Sequence, residues 1–182
     1  ITLRLHHLFL PQLKEQNLLP LFEDLEMPLV AVLAEMERNG VCLDTAALHE
    51  TSGKFTRLME DLEKETHALA GMEFNIASPK HVGEVLLDRL QITSKPKKTK
   101  TGQYVTSEDV LESLRSKHPI VEKILEHRGV KKLLGTYVDA LPLLINPRTG
   151  HIHTNFNQTI TTTGRLSSSN PNLQNIPVRD AM

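Results

Sequence analysis

The stretch TTTGRLSSSNPNLQNIPVR, residues 161–179, decides how this chain is read. It holds two arginines, four amides and two prolines and no acidic group, which is not the composition of a core segment. Gly164, Pro171 and Pro177 hold its backbone in shape, and its side chains are rich in hydrogen-bond donors. Arg, Asn and Gln together suit the minor groove of DNA, where purine N3 and pyrimidine O2 place an acceptor almost identically for every base pair. Arg165, Asn172, Gln174 and Asn175 are the candidate readers. On composition alone the same run also reads as a polar surface loop.

Immediately upstream, Asn146-Pro-Arg-Thr-Gly150 is a turn, and His151 to Ile160 alternates polar and apolar residues for most of its length, which predicts a strand. A boundary between a helical module and a sheet therefore falls near residue 146. His151 and His153 share one face of that strand, but no acidic or cysteine partner stands nearby in sequence, and a zinc site needs three or four ligands. Ser167, Ser168 and Ser169 are read as shaping the backbone or touching phosphate, since nothing places a base beside them for nucleophilic chemistry.

Before that boundary the chain is predicted to be mostly helical, with Val41 to Leu43 as a connector, so that the whole is mainly α with a small β part at the end. Leu3, Leu5, Leu8, Phe9 and Leu13 approximate a helical face interrupted by Pro11. From Leu21 to Asn39 the residues Phe22, Leu25, Leu29, Val32, Leu33 and Met36 recur at helical spacing, Pro28 kinks the helix or begins its second half, and Asn39-Gly40 supplies the stop. Asp44 caps a long helix to about Gly71, with Leu48, Phe55, Leu58, Leu62 and Leu69 as its packed stripe. Ser78 caps a short helix that buries Val82, Val85, Leu86 and Leu90, and Thr106-Ser-Glu-Asp109 has the form of a capping box for another around Leu111. His118-Pro119 opens a last long helix to about Ile145, relaxed at Pro142.

Two groups of cations stand out on these elements. Lys95, Lys97, Lys98 and Lys100 share an exposed, mobile tip with Pro96, Gly102 and threonines. Arg128 and Lys132 lie four residues apart on one helical face, with Lys131 beside them. Either group alone is equally a solvated surface. Net charge is -1, but Glu23, Asp24, Glu26, Glu35 and Glu37 crowd one stretch and the lysines another, the segregation expected of a protein that meets phosphate on one side. Hydrophobic residues make up 39% of the chain and aromatic ones 4%, with no Trp, so the core rests on aliphatic side chains. Cys42 is the single cysteine, which excludes an internal disulfide and fits a cytoplasmic setting. No apolar run approaches a membrane span.

These pieces occur together, and in order, in one family. Residues 163–179, Glu26-Met-Pro-Leu through Glu37-Arg-Asn-Gly40, Phe74 to Lys80, Glu126-His-Arg-Gly129 with Lys132, and Leu141-Pro through Asn146 to Gly150 all resemble the family A DNA polymerases. The resemblance covers essentially the whole chain. It implies residues 1–19 as the last helix of a 3'-5' exonuclease-like domain, 20–145 as a long antiparallel helical thumb hairpin with its tip at about 75–118, and 146–182 as the beginning of the palm. It also implies a bacterial, nucleoid-associated, monomeric DNA-directed DNA polymerase acting in replication and repair, with primer-template duplex and deoxynucleoside triphosphates as partners.

In that family Arg165 meets the minor groove of the terminal primer pair, with Asn172, Gln174 and Asn175 alongside. Arg128, Lys132, Lys131, the tip residues Lys97, Lys98 and Lys100, and Ser78 and Lys80 are implied to hold the duplex backbone. The Mg2+ of the reaction is implied to be held by aspartates beyond Met182, and exonuclease metal ligands before Ile1, so no catalytic residue or cofactor site is expected in this chain, which opens on Ile1 as a piece of something longer would. Cys42 and His127 depart from the family's usual aliphatic residue and tyrosine, and Cys42 is expected to be a small buried hydrophobe. Two readings compete: a non-catalytic DNA-binding module on the same scaffold, and a helical protein-interaction domain.

Overall fold

The computed structural model describes residues 1–176. The chain is mainly α with one two-stranded antiparallel sheet. It divides into two compact units, one of residues 44–143 and one joining residues 1–43 to the segment from Leu144 onward. These units group the helices differently from the expected subdomains, because the helix ending at Asn39 makes its contacts with the strand segment.

In the first of these units, α4 (Thr45–Ala70) packs along α7 (Pro119–Leu133). Asp44 caps α4 by accepting from the Ala47 N–H at 2.9 Å, and Gly71 ends it in the left-handed conformation at φ 66°, as the sequence predicts. The buried stripe of α4 differs from the expected one. Leu62, Thr66 and Ala70 are buried while Leu58 is exposed, because a strict seven-residue spacing drifts by about 20° per heptad around a straight helix. Thr66 is tolerated there because its hydroxyl donates to the Leu62 carbonyl at 2.7 Å.

Between these helices lie α5 (Pro79–Gly83) and α6 (Glu108–Leu114). Val82, Val85, Leu86, Leu111, Ile120, Val121 and Ile124 join Ala70 and Ile76 in one aliphatic core. Ser78 caps α5 by accepting from the His81 N–H at 3.4 Å. The expected capping box of α6 does not form: Ser107 is its N-cap without a side-chain bond, and Thr106 is buried. After α7 the helix widens into a π turn, Leu134–Val138, and the chain continues as a 3-10 turn, Leu141–Leu144. The hydroxyl of Ser52 donates to Asp139 at 2.8 Å, tying α4 to this exit.

His127 faces the α4–α7 packing at 5% exposure, and its Nδ1 is the buried side-chain polar atom without a hydrogen-bond partner among the described residues. Burial pushes its pKa down, with Lys131, Arg128 and His67 acting the same way and Glu63 opposing. A folded-state value below that of the unfolded chain means the folded protein resists the proton. This contribution to stability is complete above the ordinary histidine value and is lost as the pH falls below it, at up to about 1.4 kcal/mol per pH unit. A His127→Phe protein is expected to show a shallower acid-side loss of stability than the wild type in denaturant titrations from pH 7.5 to 5. Parallel curves would show that His127 takes no part.

In the second unit, α1 (Thr2–Glu15) buries none of its side chains. α2 (Leu19–Leu21), a π turn (Phe22–Glu26) and α3 (Met27–Asn39) follow as one continuous helical path. The wide turn precedes Pro28, which has no N–H to offer the preceding turn, and the Met27 N–H reaches the Phe22 carbonyl. Of the expected apolar face only Leu33 is buried, with Leu25, Val32 and Met36 exposed at 56%, 53% and 47%. Cys42 is exposed, which corrects its reading as a small buried hydrophobe. The apolar connector runs at the surface, where Val41 exchanges two backbone hydrogen bonds with Ile152, at 2.8 and 2.9 Å.

β1 (Asn155–Asn157) pairs with β2 (Ser167–Ser169), placing Phe156 opposite Ser168. The predicted strand over 151–160 is thus three residues long plus the bridge at Ile152. Of the flanking residues, His151 and His153 bond to the end of α3 instead of to a second strand.

Candidate nucleic-acid interface

The segment after the turn at 146–150 is fastened to the end of α3 by side chains. The ring Nδ1 atoms of His151 and His153 lie 2.6 and 2.7 Å from the carbonyls of Asn39 and Glu37, so each donates to a carbonyl that the helix leaves unpaired at its C-terminus. The Thr149 hydroxyl meets His153 Nε2 at 2.7 Å. The Phe156 N–H donates to Glu37 Oε1 at 2.6 Å, and Gln158 Nε2 donates to Glu26 Oε2 at 2.7 Å. The two histidines are therefore a latch on a helix end. Their alternation in sequence was visible, but their acceptors lie more than a hundred residues away.

This fastening presents the run from Thr161. Gly164 turns the chain at φ 73°, and the Thr161 hydroxyl donates to the Arg165 carbonyl across the turn. The guanidinium of Arg165 is exposed and has no hydrogen-bond or ion-pair partner among the described residues. Ser168 is buried, and its Oγ accepts from the N–H groups of Leu173 and Gln174 at 3.0 and 3.2 Å. Thr154 donates to the carbonyls of Ser169 and Pro171 at 3.1 and 2.7 Å. Ser169 Oγ accepts from Asn157 at 3.1 Å. These serines shape the backbone.

The four candidate readers are therefore not equivalent. Asn172 Oδ1 accepts from the N–H groups of Gln174 and Asn175, and Gln174 Nε2 donates to the Leu166 carbonyl at 2.8 Å. Both amides build the loop from which Arg165 projects, while each keeps capacity for a further bond. Asn175 is exposed and also has an interaction within the chain. Pro177, Val178 and Arg179, quoted with this stretch, lie outside the described residues.

In the helical unit the lysine tip has a folded base. The Thr99 N–H donates to Gln103 O at 2.7 Å, Gly102 N–H to Thr99 O at 3.0 Å and Val105 N–H to Lys97 O at 2.9 Å, around an antiparallel bridge of Lys98 with Tyr104. Tyr104 fixes this hairpin to the core: its hydroxyl donates to Asp88, its Cβ lies over Gly83, and Lys98 Nζ sits 4.7 Å from its ring centre. Sequence reasoning missed Tyr104, whose signal was an aromatic following Gly102-Gln103 in a polar run. Lys95, Lys97, Lys98 and Lys100 are exposed and form no salt bridge among the described residues.

On α7, Lys131 and Lys132 are exposed in the last turn, without salt bridges among the described residues. Arg128 is half-buried, and its Nη1 donates to the Thr106 carbonyl at 2.5 Å. The spacing that predicted a matched pair of phosphate contacts thus yields, among the described residues, one cation without a salt bridge and one with an internal partner. Ser78 is occupied as a cap, and Lys80 lies 3.8 Å from Glu84 in an exposed pair, which is worth little to stability. No three His, Cys, Asp or Glu side chains are grouped so as to hold a metal ion among the described residues, so these residues do not fit the metal centre that nucleotidyl transfer requires.

In one unit an exposed arginine without a partner among the described residues stands on a polar loop, and in the other unit two sets of lysines are exposed, each a feature suited to a polyanion. Residues 45–182 match the model of DNA polymerase family A, and the chain belongs to that family. It is 53% identical over 97% of its length to the thermostable DNA polymerase I of Thermus thermophilus, of which it covers 21%. It is 51% identical to the DNA polymerase I of Geobacillus stearothermophilus, over 87% of this chain and 18% of that one. Its fold matches the POL domain of Pol1 from M. smegmatis, solved in complex with DNA primer-template and dNTP, with a TM-score of 0.78 and 41% identity over 94% of this chain and 30% of that one. The chain thus spans about a fifth of the length of such relatives.

Proposed function

We propose that this chain is the duplex-holding part of a bacterial DNA-directed DNA polymerase of replication and repair, which binds primer-template without sequence preference and takes deoxynucleoside triphosphates as substrates. Residues 20–145 act as the thumb, with 75–118 at its tip, 146–182 open the palm, and 1–19 end an exonuclease-like domain. The protein works as a cytoplasmic monomer, and the Mg2+ that activates the primer hydroxyl is held by residues other than those described. The single observation that supports this reading is the fold likeness over 94% of the chain to a polymerase domain holding DNA primer-template and dNTP.

Each side chain has a physical task in that reading. Arg165 donates to the minor-groove acceptor of the last primer pair, an atom that correct pairs put in one place and mismatches displace. Asn172, Gln174 and Asn175 shape that loop and supply further amides beside it. Lys131, Lys132, the hairpin residues Lys97, Lys98 and Lys100, and Ser78 and Lys80 track the phosphates, which fix register and carry no sequence information.

The test is equilibrium binding of this 182-residue chain to duplex DNA over a range of salt. Wild type is expected to bind weakly, and Lys132→Ala to lower the slope of log affinity against log salt by about 0.9. Purified alone, the chain is expected to incorporate no nucleotide in a primer-extension assay with magnesium. Absence of binding even at low salt would favour a helical protein-interaction domain, and metal-dependent extension would show that the chain carries its own catalytic centre.

A further inference from the structure

The phosphate contacts proposed for the helical unit come from separate pieces of chain, and Arg128 links two of them, α7 and the lysine hairpin. Val105 N–H donates to Lys97 O at 2.9 Å, the rung that closes the base of the lysine hairpin, and Thr106 follows directly. Thr106 is 6% exposed, its hydroxyl lies 3.5 Å from the Pro79 carbonyl at the start of α5, and its own carbonyl receives Arg128 Nη1 at 2.5 Å. Arg128 thus reaches from the middle of α7 to the junction where the hairpin rejoins the core. Burial lowers its pKa, yet a guanidinium stays charged in proteins, so a cation is fixed against a main-chain acceptor at this junction.

We infer that Arg128 is a positioning residue for the lysine hairpin, holding through the Thr106 carbonyl the base from which Lys97, Lys98 and Lys100 meet a phosphate backbone. This rests on the duplex-binding reading above and assigns Arg128 a different task from that of Lys132. A planar fork on a half-buried stem suits the role, because one N–H can be aimed at a fixed carbonyl. The hairpin lysines add electrostatic attraction only while their spacing follows the phosphates, so a loosened base weakens all three together.

Duplex binding across salt is compared for wild type, Arg128→Met, Arg128→Lys, a Lys97/Lys98/Lys100→Ala variant and the combination of the first and last changes. Each phosphate contact contributes about 0.9 to the salt slope. Arg128→Met is expected to lower the slope by as much as the hairpin variant does, and the combined protein to fall no further. Arg128→Lys is expected to restore little of it. Amide exchange at Thr99, Gly102 and Val105 is expected to quicken in Arg128→Met while α4 and α7 stay protected, a pattern that general unfolding does not produce. A slope lowered by about 0.9 in either background, and rescued by lysine, would make Arg128 a direct phosphate ligand and overturn the inference. Unchanged hairpin exchange would overturn it as well. If wild type does not bind duplex at all, the duplex reading falls, and the exchange comparison alone decides whether Arg128 holds the hairpin.

Discussion

Arg165→Ala in a complete polymerase carrying this segment is expected to lower kcat/KM for primer extension about 10- to 100-fold while leaving thermal stability unchanged. The magnitude is that of one charge-assisted hydrogen bond, about 1.5–3 kcal/mol, made to the primer terminus as the reaction proceeds. The absence of a folding defect follows from the geometry: the side chain is exposed and unpartnered among the described residues, and such surface changes usually stay within about 0.5 kcal/mol. Discrimination against a mismatched terminus should change too, since the donor that tests acceptor position is gone. Single-turnover extension from matched and mismatched primers measures both quantities. Wild-type kinetics on both primers would remove Arg165 from the site.

Gly40→Ala is expected to be the most damaging single methyl group in the unit that carries the loop, costing about 2–6 kcal/mol. Gly40 ends α3 at φ 67° and ψ -172°, a region open essentially to glycine alone and worth about 1–3 kcal/mol in strain for any other residue. A Cβ there would also stand 2.8 Å from the Ile152 carbonyl and 2.9 Å from the His153 ring, closer than packed atoms allow, so the chain would be pushed away at the latch that fastens the strand segment to α3. Overpacking of this kind adds about 1–3 kcal/mol. Gly53→Ala is the control. Gly53 lies within α4, and a methyl group added there would meet nothing within 4 Å, so alanine is expected to stabilise by about 0.5–1 kcal/mol. Denaturant unfolding of the two proteins reads the contrast, and equal midpoints would refute the account of the Gly40 turn.

Much of the helical layout was legible from local chemistry. Asp44 before an amphipathic run, Ser78-Pro79 and His118-Pro119 each marked a helix start that the structure contains, because capping and proline preferences act over one turn of chain. Where local rules competed with tertiary contacts they gave way. Thr106 had the form of a cap and became a buried bridge to Pro79 and Arg128. The alternating run from His151 looked like one long strand, yet Glu37 and Glu26, far upstream, took hydrogen bonds from its residues.

The candidate site divides in the same way. Arg165 and the hairpin lysines were identified from residue type and spacing, and they are exposed cations in the structure. Asn172, Gln174 and Arg128 were chosen by the same reasoning, and each is engaged by backbone groups of its own chain. Residue type states how many bonds a side chain can form but not with whom.

By itself, then, the amino-acid order determined the helical class, the helix starts at Asp44, Ser78 and His118, the family and which side chains bear donors. Only the tertiary structure decided which donors are left for a partner, because hydrogen-bond partners are chosen by proximity in space. His151 and His153 find theirs on the carbonyls at the end of a helix more than a hundred residues earlier in the chain.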